Sequence, residues 1–279
     1  MTLREAYEYG QEQLKKAQIE DAELDAWYLL EYVTGINRTM YFMDINGALS
    51  EEAEVKYRGY IATRSEHVPL QHITGVQEFM GLEFSVNEHV LVPRQDTEVL
   101  VESVLEVLEP RMHVLDMCTG SGCILISLLK LCGQQNVSGI GVDISNEALA
   151  VAGQNADKLG VKATFLQSDL FSEVSGKFDV IVSNPPYIRT AVIEELKEEV
   201  KFHDPFLALD GKEDGLYFYK RIVEESVQYL NVGGRLCFEI GHDQGEAVSS
   251  LMREAGFSEV TVKKDLAGLD RVVFGVYNI

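Results

Sequence analysis

The sequence predicts an α/β protein, a mainly parallel doubly wound sheet preceded by a small helical domain. Three observations predict it. From residue 112 onward short apolar runs alternate with amphipathic stretches of helical period, the pattern of strand–helix units that build a parallel sheet. A Gly-rich turn follows the first of these runs, and acidic residues close or follow the next two, at the strand ends where such sheets bind ligands. Residues 1–66 carry helical spacing and no strand-like run.

In that first stretch Leu3, Ala6, Tyr7, Leu14 and Ala17 have helical spacing. Asp21 is placed to cap a second helix carrying Leu24, Trp27, Tyr28, Leu30 and Val33, which Gly35 ends. Ser50-Glu51-Glu52-Ala53 opens a third, with Val55, Tyr60 and Ile61 as its apolar face, and Pro69 stops it. Glu78–Met80 and Leu82–Val86 flank Gly81 and read as a hairpin; Val90–Pro93 is a second extended piece. The expected division is therefore a helical domain over 1–75, a hairpin linker over 76–93 and the sheet domain over 94–279.

The sheet domain opens with a helix from Thr97 to Leu108. Strand 113–117, helix 123–131, strand 137–143, helix 146–159 and strands 163–167 and 178–183 follow. Helices 192–200 and 217–230, strand 235–240, helix 244–255 and strands 259–263 and 271–277 complete the pattern. The last two strands are so close in sequence that one is expected to run antiparallel at an edge.

Composition narrows the function. The chain has 279 residues, 46% of them hydrophobic, enough for one large core and a smaller one. The net charge is −21, and the acid is not confined to a tail: residues 1–85 hold 7 Lys and Arg against 15 Asp and Glu. Nucleic-acid binding draws most of its affinity from neutralised phosphates, so no direct nucleic-acid contact is expected. No apolar run has the length of a membrane span, and the N-terminus does not read as a secretory signal. Cys118, Cys123, Cys132 and Cys237 form no C-x-x-C pair and lie near no His cluster, so neither zinc nor a disulfide framework is expected. Reduced thiols point to a cytoplasmic protein.

The most informative stretch is Asn184-Pro185-Pro186-Tyr187, after the buried strand that ends at Ser183. Two prolines stiffen the loop and withhold N–H donors, so it presents carbonyls. Asn184 adds a side-chain acceptor and Tyr187 a flat face, a combination suited to gripping a planar –NH2 group. A plain Pro-rich turn is the alternative.

The loop after the first parallel strand, Asp116 through Cys118, Thr119, Gly120, Ser121 and Gly122, is neither G-x-G-x-x-G nor a phosphate-binding P-loop. Its glycines let backbone approach a ligand at a helix N-terminus. A carboxylate at Asp116 disfavours a pyrophosphate and favours the ammonium of S-adenosylmethionine (SAM). Asp143 ends the next strand where a ribose-binding acid belongs, and Ser145 is the better helix cap. Asp169 and Leu170 read equally as an adenine-edge pair and as a turn Asp beside a core Leu.

Together these features resemble a class I SAM-dependent methyltransferase, and Asn-Pro-Pro-Tyr resembles the subset acting on amino groups. Pro69-Leu70-Gln71-His72-Ile73-Thr74-Gly75, Val90 through Glu98, and Glu239-Ile240-Gly241-His242-Asp243-Gln244-Gly245 narrow the likeness to the PrmC/HemK family of release-factor glutamine N5-methyltransferases. The resemblance implies an N-terminal helical substrate-recognition domain, a SAM domain, and as substrate the Gln of the Gly-Gly-Gln tripeptide of peptide chain release factors. It implies that Cys118 to Gly122, Asp143 and Leu170 hold SAM and that Asn184 to Tyr187 hold the Gln side chain. In that arrangement the Asn184 side-chain oxygen and the Pro185 carbonyl each accept one amide N–H, and Tyr187 packs against the amide. The alternatives are a nucleic-acid adenine N6- or guanine N2-methyltransferase using the same loop, and a catalytically silent SAM fold. The sequence departs from the family's usual residues at Cys118, often Gly, which argues against a tight positive-φ turn there; at Gln95-Asp96, usually Pro-Glu; and at Leu170, a Trp in some members. Arg94 and Glu98 read either as cofactor-facing or as an exposed i,i+4 pair.

Overall fold

A computed structural model describes residues 1–133 and 136–278. The chain forms two compact units: residues 1–76 with 197–203, and residues 77–196 with 204–279.

The smaller unit is helical. Helix α1 (Leu3–Lys16) starts in a capping box, with Thr2 accepting from the Glu5 N–H and Glu5 reaching back to the Thr2 N–H. Helix α2 (Ala22–Thr34) ends at left-handed Gly35, as its sequence predicts, but the Asp21 side chain makes no cap bond. A short α3 (Arg38–Met43) is capped by Asn37. Helix α4 (Glu51–Ser65) is capped by Ser50, which accepts from Ala53. Its buried face is Tyr57 and Ile61; Val55, expected on that face, is exposed. The α1–α4 contact needs a glycine: a Cβ on Gly10 would sit 2.0 Å from the Tyr57 hydroxyl, which donates to the Ala26 carbonyl. Pro69 does not simply stop a helix. It leads α5 (Leu70–Thr74), closed by left-handed Gly75.

The larger unit begins with a hairpin, β1 (Val76–Phe79) and β2 (Leu82–Ser85). Met80 and Gly81 both take positive φ, as a two-residue hairpin turn requires. Phe79 and Phe84 bury against Leu100, Val101 and Val104 of α6 (Glu98–Leu105), so the segment expected as a linker belongs to this unit's core.

The alternating part then runs β3 (His113–Met117), α7 (Cys123–Leu131), β4 (Ser138–Asp143), α8 (Asn146–Leu159), β5 (Thr164–Gln167) and β6 (Phe178–Ser183). Two short helices, α9 (Thr190–Ile193) and α10 (Glu198–His203), stand where one helix over 192–200 was expected. The break has a tertiary cause. Helix α10 joins the smaller unit, where Glu199 meets Arg64 at 2.7 Å and Lys197 meets Glu20. Helices α11 (Phe206–Leu209) and α12 (Tyr217–Ser226), β7 (Leu230–Glu239), α13 (Gly245–Glu254), β8 (Phe257–Lys264) and β9 (Asp270–Tyr277) complete the chain.

The sheet order is β5-β4-β3-β6-β7-β9-β8. The one antiparallel strand is β9, and it lies inside the sheet between β7 and β8 rather than at an edge. Strand residues alternate between two cores. Leu115, Ile181, Leu236 and Val273 pack with α12 and α13; Val114, Val180, Cys237 and Val272 pack with α6 and α7. The chain leaves β3 toward β4 on one side and returns to β6 on the other. The crevice beyond the C-terminal ends of β3 and β6 is therefore the switch point where sheets of this type bind ligands.

Candidate active site

A cavity of about 350 Å³ occupies that crevice. The loops after β3, β4, β5 and β6 all contribute to it, together with residues 88–94 and 205–208. This size is within the range of small-molecule sites.

The loop after β3 turns through three left-handed residues, Cys118 (φ 61°), Gly120 (φ 53°) and Gly122 (φ 77°). The positive φ at Cys118 overturns the expectation that a side chain there prevents the turn. The conformation costs a non-glycine residue roughly 1–2 kcal/mol, and the loop's fixed contacts hold it: the Thr119 N–H donates to the Val142 carbonyl at 2.9 Å. Gly122 is constrained twice, since its Cβ would also lie 2.8 Å from Ile126 Cδ1. A Cβ on Gly120 would meet nothing within 4 Å, which leaves that backbone open toward the cavity it lines.

Asp116 departs from its expected role. Its side chain is fully buried beneath the loop and does not line the cavity. Oδ2 accepts from the Thr119 hydroxyl at 2.6 Å and from the Leu125 N–H at 3.3 Å, while Oδ1 has no partner. Burial pushes its carboxyl up to about 7. Asp116 therefore shapes the loop from behind.

Asp143 lines the cavity and clamps two loops, Oδ2 accepting from Gly120 N–H at 2.9 Å and Oδ1 from Ser145 N–H at 3.0 Å. Ser145, not Asp143, caps α8, accepting from Ala148. Each Asp143 oxygen keeps a second acceptor position for a ligand hydroxyl. Asp169 lines the cavity edge and is held by Arg221 at 2.9 Å. Leu170 is a buried core residue that also lines the cavity, again with positive φ (50°).

At the end of β6 the four loop residues divide. Asn184 and Pro186 line the cavity; Pro185 and Tyr187 do not. The Asn184 amide nitrogen donates to the Thr97 hydroxyl at 3.5 Å, which leaves its oxygen as the acceptor on offer. The loop is braced from behind. Buried Gln244 donates to the Tyr187 carbonyl and to the Gly215 carbonyl, both at 3.1 Å, and a Cβ on Gly211 would lie 2.7 Å from the Tyr187 backbone. Burial, with the neighbouring Glu239 carboxylate, raises the Tyr187 phenol well above its usual range.

Arg94 lines the cavity and pairs with Asp204 at 2.7 Å, while Glu98 accepts from the Met80 N–H at 2.6 Å. Neither the Arg94–Glu98 pair nor a cofactor-facing Glu98 forms. Glu88, Asp143 and Asp169 then give the cavity an excess of carboxylate, which suits a cationic ligand and opposes a phosphate.

Three supporting residues were not among the expected site residues. Asn155 is fully buried and joins the hairpin to the loop after β3, donating to the carbonyls of Ser85 and Ser121. Thr97 and Glu239 stand behind Asn184. Among the described residues no cluster suited to a metal ion exists, and no helix is long and apolar enough to cross a membrane.

Comparison with known proteins identifies the family. The family described as the PrmC N-terminal domain matches residues 5–75, and the methyltransferase small domain matches residues 94–200. A release factor glutamine methyltransferase of Geobacter sulfurreducens is 40% identical, across 98% of this chain and 96% of its own. Relatives of the same name are 41% identical in Caulobacter vibrioides (100% and 97% covered) and 39% in Bacillus subtilis (98% and 96%). Among solved structures, a methyltransferase of Pyrococcus furiosus superimposes with a TM-score of 0.55 at 17% identity, covering 72% of this chain and 91% of that one. A 16S rRNA N2 methyltransferase of T. thermophilus in complex with AdoMet and guanosine gives 0.51 at 17%, covering 73% and 50%. At that identity these two structures speak for the fold alone.

Proposed function

The chain belongs to the release factor glutamine methyltransferases, and we infer that it transfers a methyl group from SAM to the side-chain amide nitrogen, N5, of the Gln in the Gly-Gly-Gln motif of peptide chain release factors. The observation that carries this reading is the adjacency of two loops. The Gly-rich turn after β3 and, after β6, Asn184 and Pro186 of the Asn-Pro-Pro-Tyr loop line one cavity at the ends of neighbouring strands.

The residues present fit SAM. Asp143 offers acceptor positions to ribose hydroxyls, Leu170 an apolar wall, and the Cys118–Gly122 backbone a close approach. The carboxylate-rich lining suits a cation. Bound there, SAM supplies an electrophilic methyl group on a positively charged sulfur.

The protein's part is positioning. An amide nitrogen is a weak nucleophile because its lone pair is delocalised into the carbonyl. The Asn184 oxygen accepts one N–H of the substrate amide and the Pro185 carbonyl the other, which fixes rotation about the C–N bond. Negative dipoles at that nitrogen stabilise the positive charge that develops there more than they stabilise the resting amide. Tyr187 braces the loop through its half-buried ring and its carbonyl.

The N-terminal helical domain, residues 1–75, serves as the recognition module for the release factor. Leu24, Tyr28 and Tyr32 are exposed at i, i+4 and i+8 of α2, an apolar stripe of the kind a protein partner covers. Four free cysteines fit the cytoplasm, where release factors act. The acidic charge disfavours the nucleic-acid alternative.

The test is direct. Purified protein is incubated with labelled SAM and either a release factor or total RNA. Label on the release factor, mapped to the Gly-Gly-Gln peptide, supports the reading; label on RNA alone overturns it.

A further inference from the structure

We propose that Glu239 is the positioning residue of the acceptor loop: its buried carboxylate takes the Asn184 amide nitrogen and the Thr97 hydroxyl as donors and so turns the Asn184 oxygen toward the substrate amide. The inference deepens the function proposed above and rests on it.

The register places the two residues together. Ser183 of β6 pairs with Phe238 of the parallel β7, so Asn184 and Glu239 are the next residues at adjacent strand ends. Glu239 is 2% exposed and does not line the cavity. The Thr97 hydroxyl and the Asn184 amide stand beside its carboxylate and offset part of the effect of burial on it, and Asn184 Nδ2 donates to Thr97 Oγ1 at 3.5 Å. Its Oε2 atom has no hydrogen-bond partner. A buried carboxylate with an unfilled acceptor is costly. The nearby cation, Arg271, gives its guanidinium to Asp265 and Asp96.

An asparagine amide has an oxygen end and a nitrogen end of nearly equal size, and its neighbours decide which faces where. An ionised carboxylate only accepts. Placed behind Asn184 it draws the NH2 end, directly and through Thr97, and leaves the oxygen outward. A protonated carboxyl can donate, and the constraint is lost. The groups around Glu239 are Arg271 and Asp96, the phenols of Tyr187 and Tyr219, and the Cys123 thiol. Burial dominates and pushes the Glu239 carboxyl up to about 7, within the range where both forms are populated.

The test compares wild type, Glu239→Gln, Asn184→Ala and the double variant, with SAM and a release factor saturating. SAM affinity is measured by calorimetry. Glu239→Gln is expected to bind SAM within about twofold of wild type and to lose about tenfold or more in kcat at pH 8. The wild-type kcat falls as pH drops below about 7, and in Glu239→Gln this acid limb disappears. In the Asn184→Ala background, Glu239→Gln changes kcat by less than about twofold, because the two residues act as one unit. Three results overturn the role: SAM affinity falling in step with kcat, an acid limb persisting at an unchanged pKa, or a tenfold loss that survives in the Asn184→Ala background. A wild type that methylates no release factor overturns the function itself. A methylating wild type with an unaffected Glu239→Gln overturns only the role of Glu239.

Discussion

The carboxylate of Asp143 accepts the backbone N–H of Gly120 at 2.9 Å, so the acid that ends β4 pins the loop that follows β3. Its other oxygen takes the Ser145 N–H at 3.0 Å. One side chain thus sets the relative position of two walls of the cavity, in addition to whatever it offers a ligand.

This double role makes Asp143 sensitive to a nearly isosteric change. Asp143→Ala is expected to weaken SAM binding by roughly 2–4 kcal/mol, two charge-assisted hydrogen bonds, with a smaller effect on turnover once SAM is bound. Asp143→Asn should approach that loss, because its single oxygen can satisfy only one of the two N–H groups. Calorimetry giving wild-type affinity for the Asn variant would mean that the clamp does not shape the cofactor site.

The parts of the fold most legible in the sequence are those built from local signals. The bounds of β3, β6, α7 and α8 follow directly from apolar runs, a Gly-rich turn and the Ser145 cap. Elements set by distant partners are not legible. Helix α10 separates from α9 because Glu199 finds Arg64, more than a hundred residues away. Strand β9 enters between β7 and β8, a choice that strand spacing does not encode. At the site, the positions of Asn184 and Asp143 beside the cavity are readable because strand ends mark them. Asp116 was readable as an acid but not as a buried one, since its burial depends on how the loop folds back over it through Thr119. Glu239 and Thr97 lie in stretches that carry the family resemblance, but their convergence on Asn184 appears only when β6 and β7 lie side by side.

Asp116 gives a prediction on stability. Its carboxyl is raised above its ordinary value by burial, so the folded state holds that proton more tightly than the unfolded chain. The sign follows: this contribution to stability is fully present below about pH 4 and is lost as pH rises to about 7. Asp116→Asn can keep both existing bonds, since both fall on Oδ2, and carries no charge. The Tm difference between variant and wild type, without SAM, should therefore move in the variant's favour by several degrees between pH 5 and pH 8. A difference independent of pH would show that Asp116 does not titrate in this window.

Asn184 is predicted to act on transfer and not on cofactor binding. Asn184→Ala should lower kcat by on the order of 100-fold or more, the usual loss for one positioned electrostatic contact. SAM affinity should stay within a few-fold, because the Gly-rich turn, Asp143 and Leu170 are untouched. Labelled-methyl transfer and calorimetry on the same preparation separate the two. Near-normal turnover would remove Asn184 from the reaction.

The last prediction concerns the length and polarity of the acceptor side chain. A site that offers an Asn184 oxygen and a Pro185 carbonyl presents two acceptors and no donor at the substrate nitrogen. A Gln amide fills both. A Glu carboxylate would bring an oxygen against each of them, leaving both acceptors unpaired and the like dipoles opposed. Sites built to pair a substrate's N–H groups reject analogues lacking them by on the order of 10⁴-fold. An Asn amide keeps both N–H groups but is one methylene short. A displacement of about 1 Å from in-line attack costs roughly 100-fold. Release factors with Gly-Gly-Gln changed to Gly-Gly-Glu or Gly-Gly-Asn, assayed by methyl incorporation and mass mapping, should thus be inert and nearly inert respectively. Efficient methylation of the Glu form would mean that the acceptor pair at the end of β6 is not what reads the substrate. Efficient methylation of the Asn form would mean that the cavity tolerates movement of the nitrogen, and that rotation about the amide, rather than its distance from the sulfur-bound methyl, is what the loop controls.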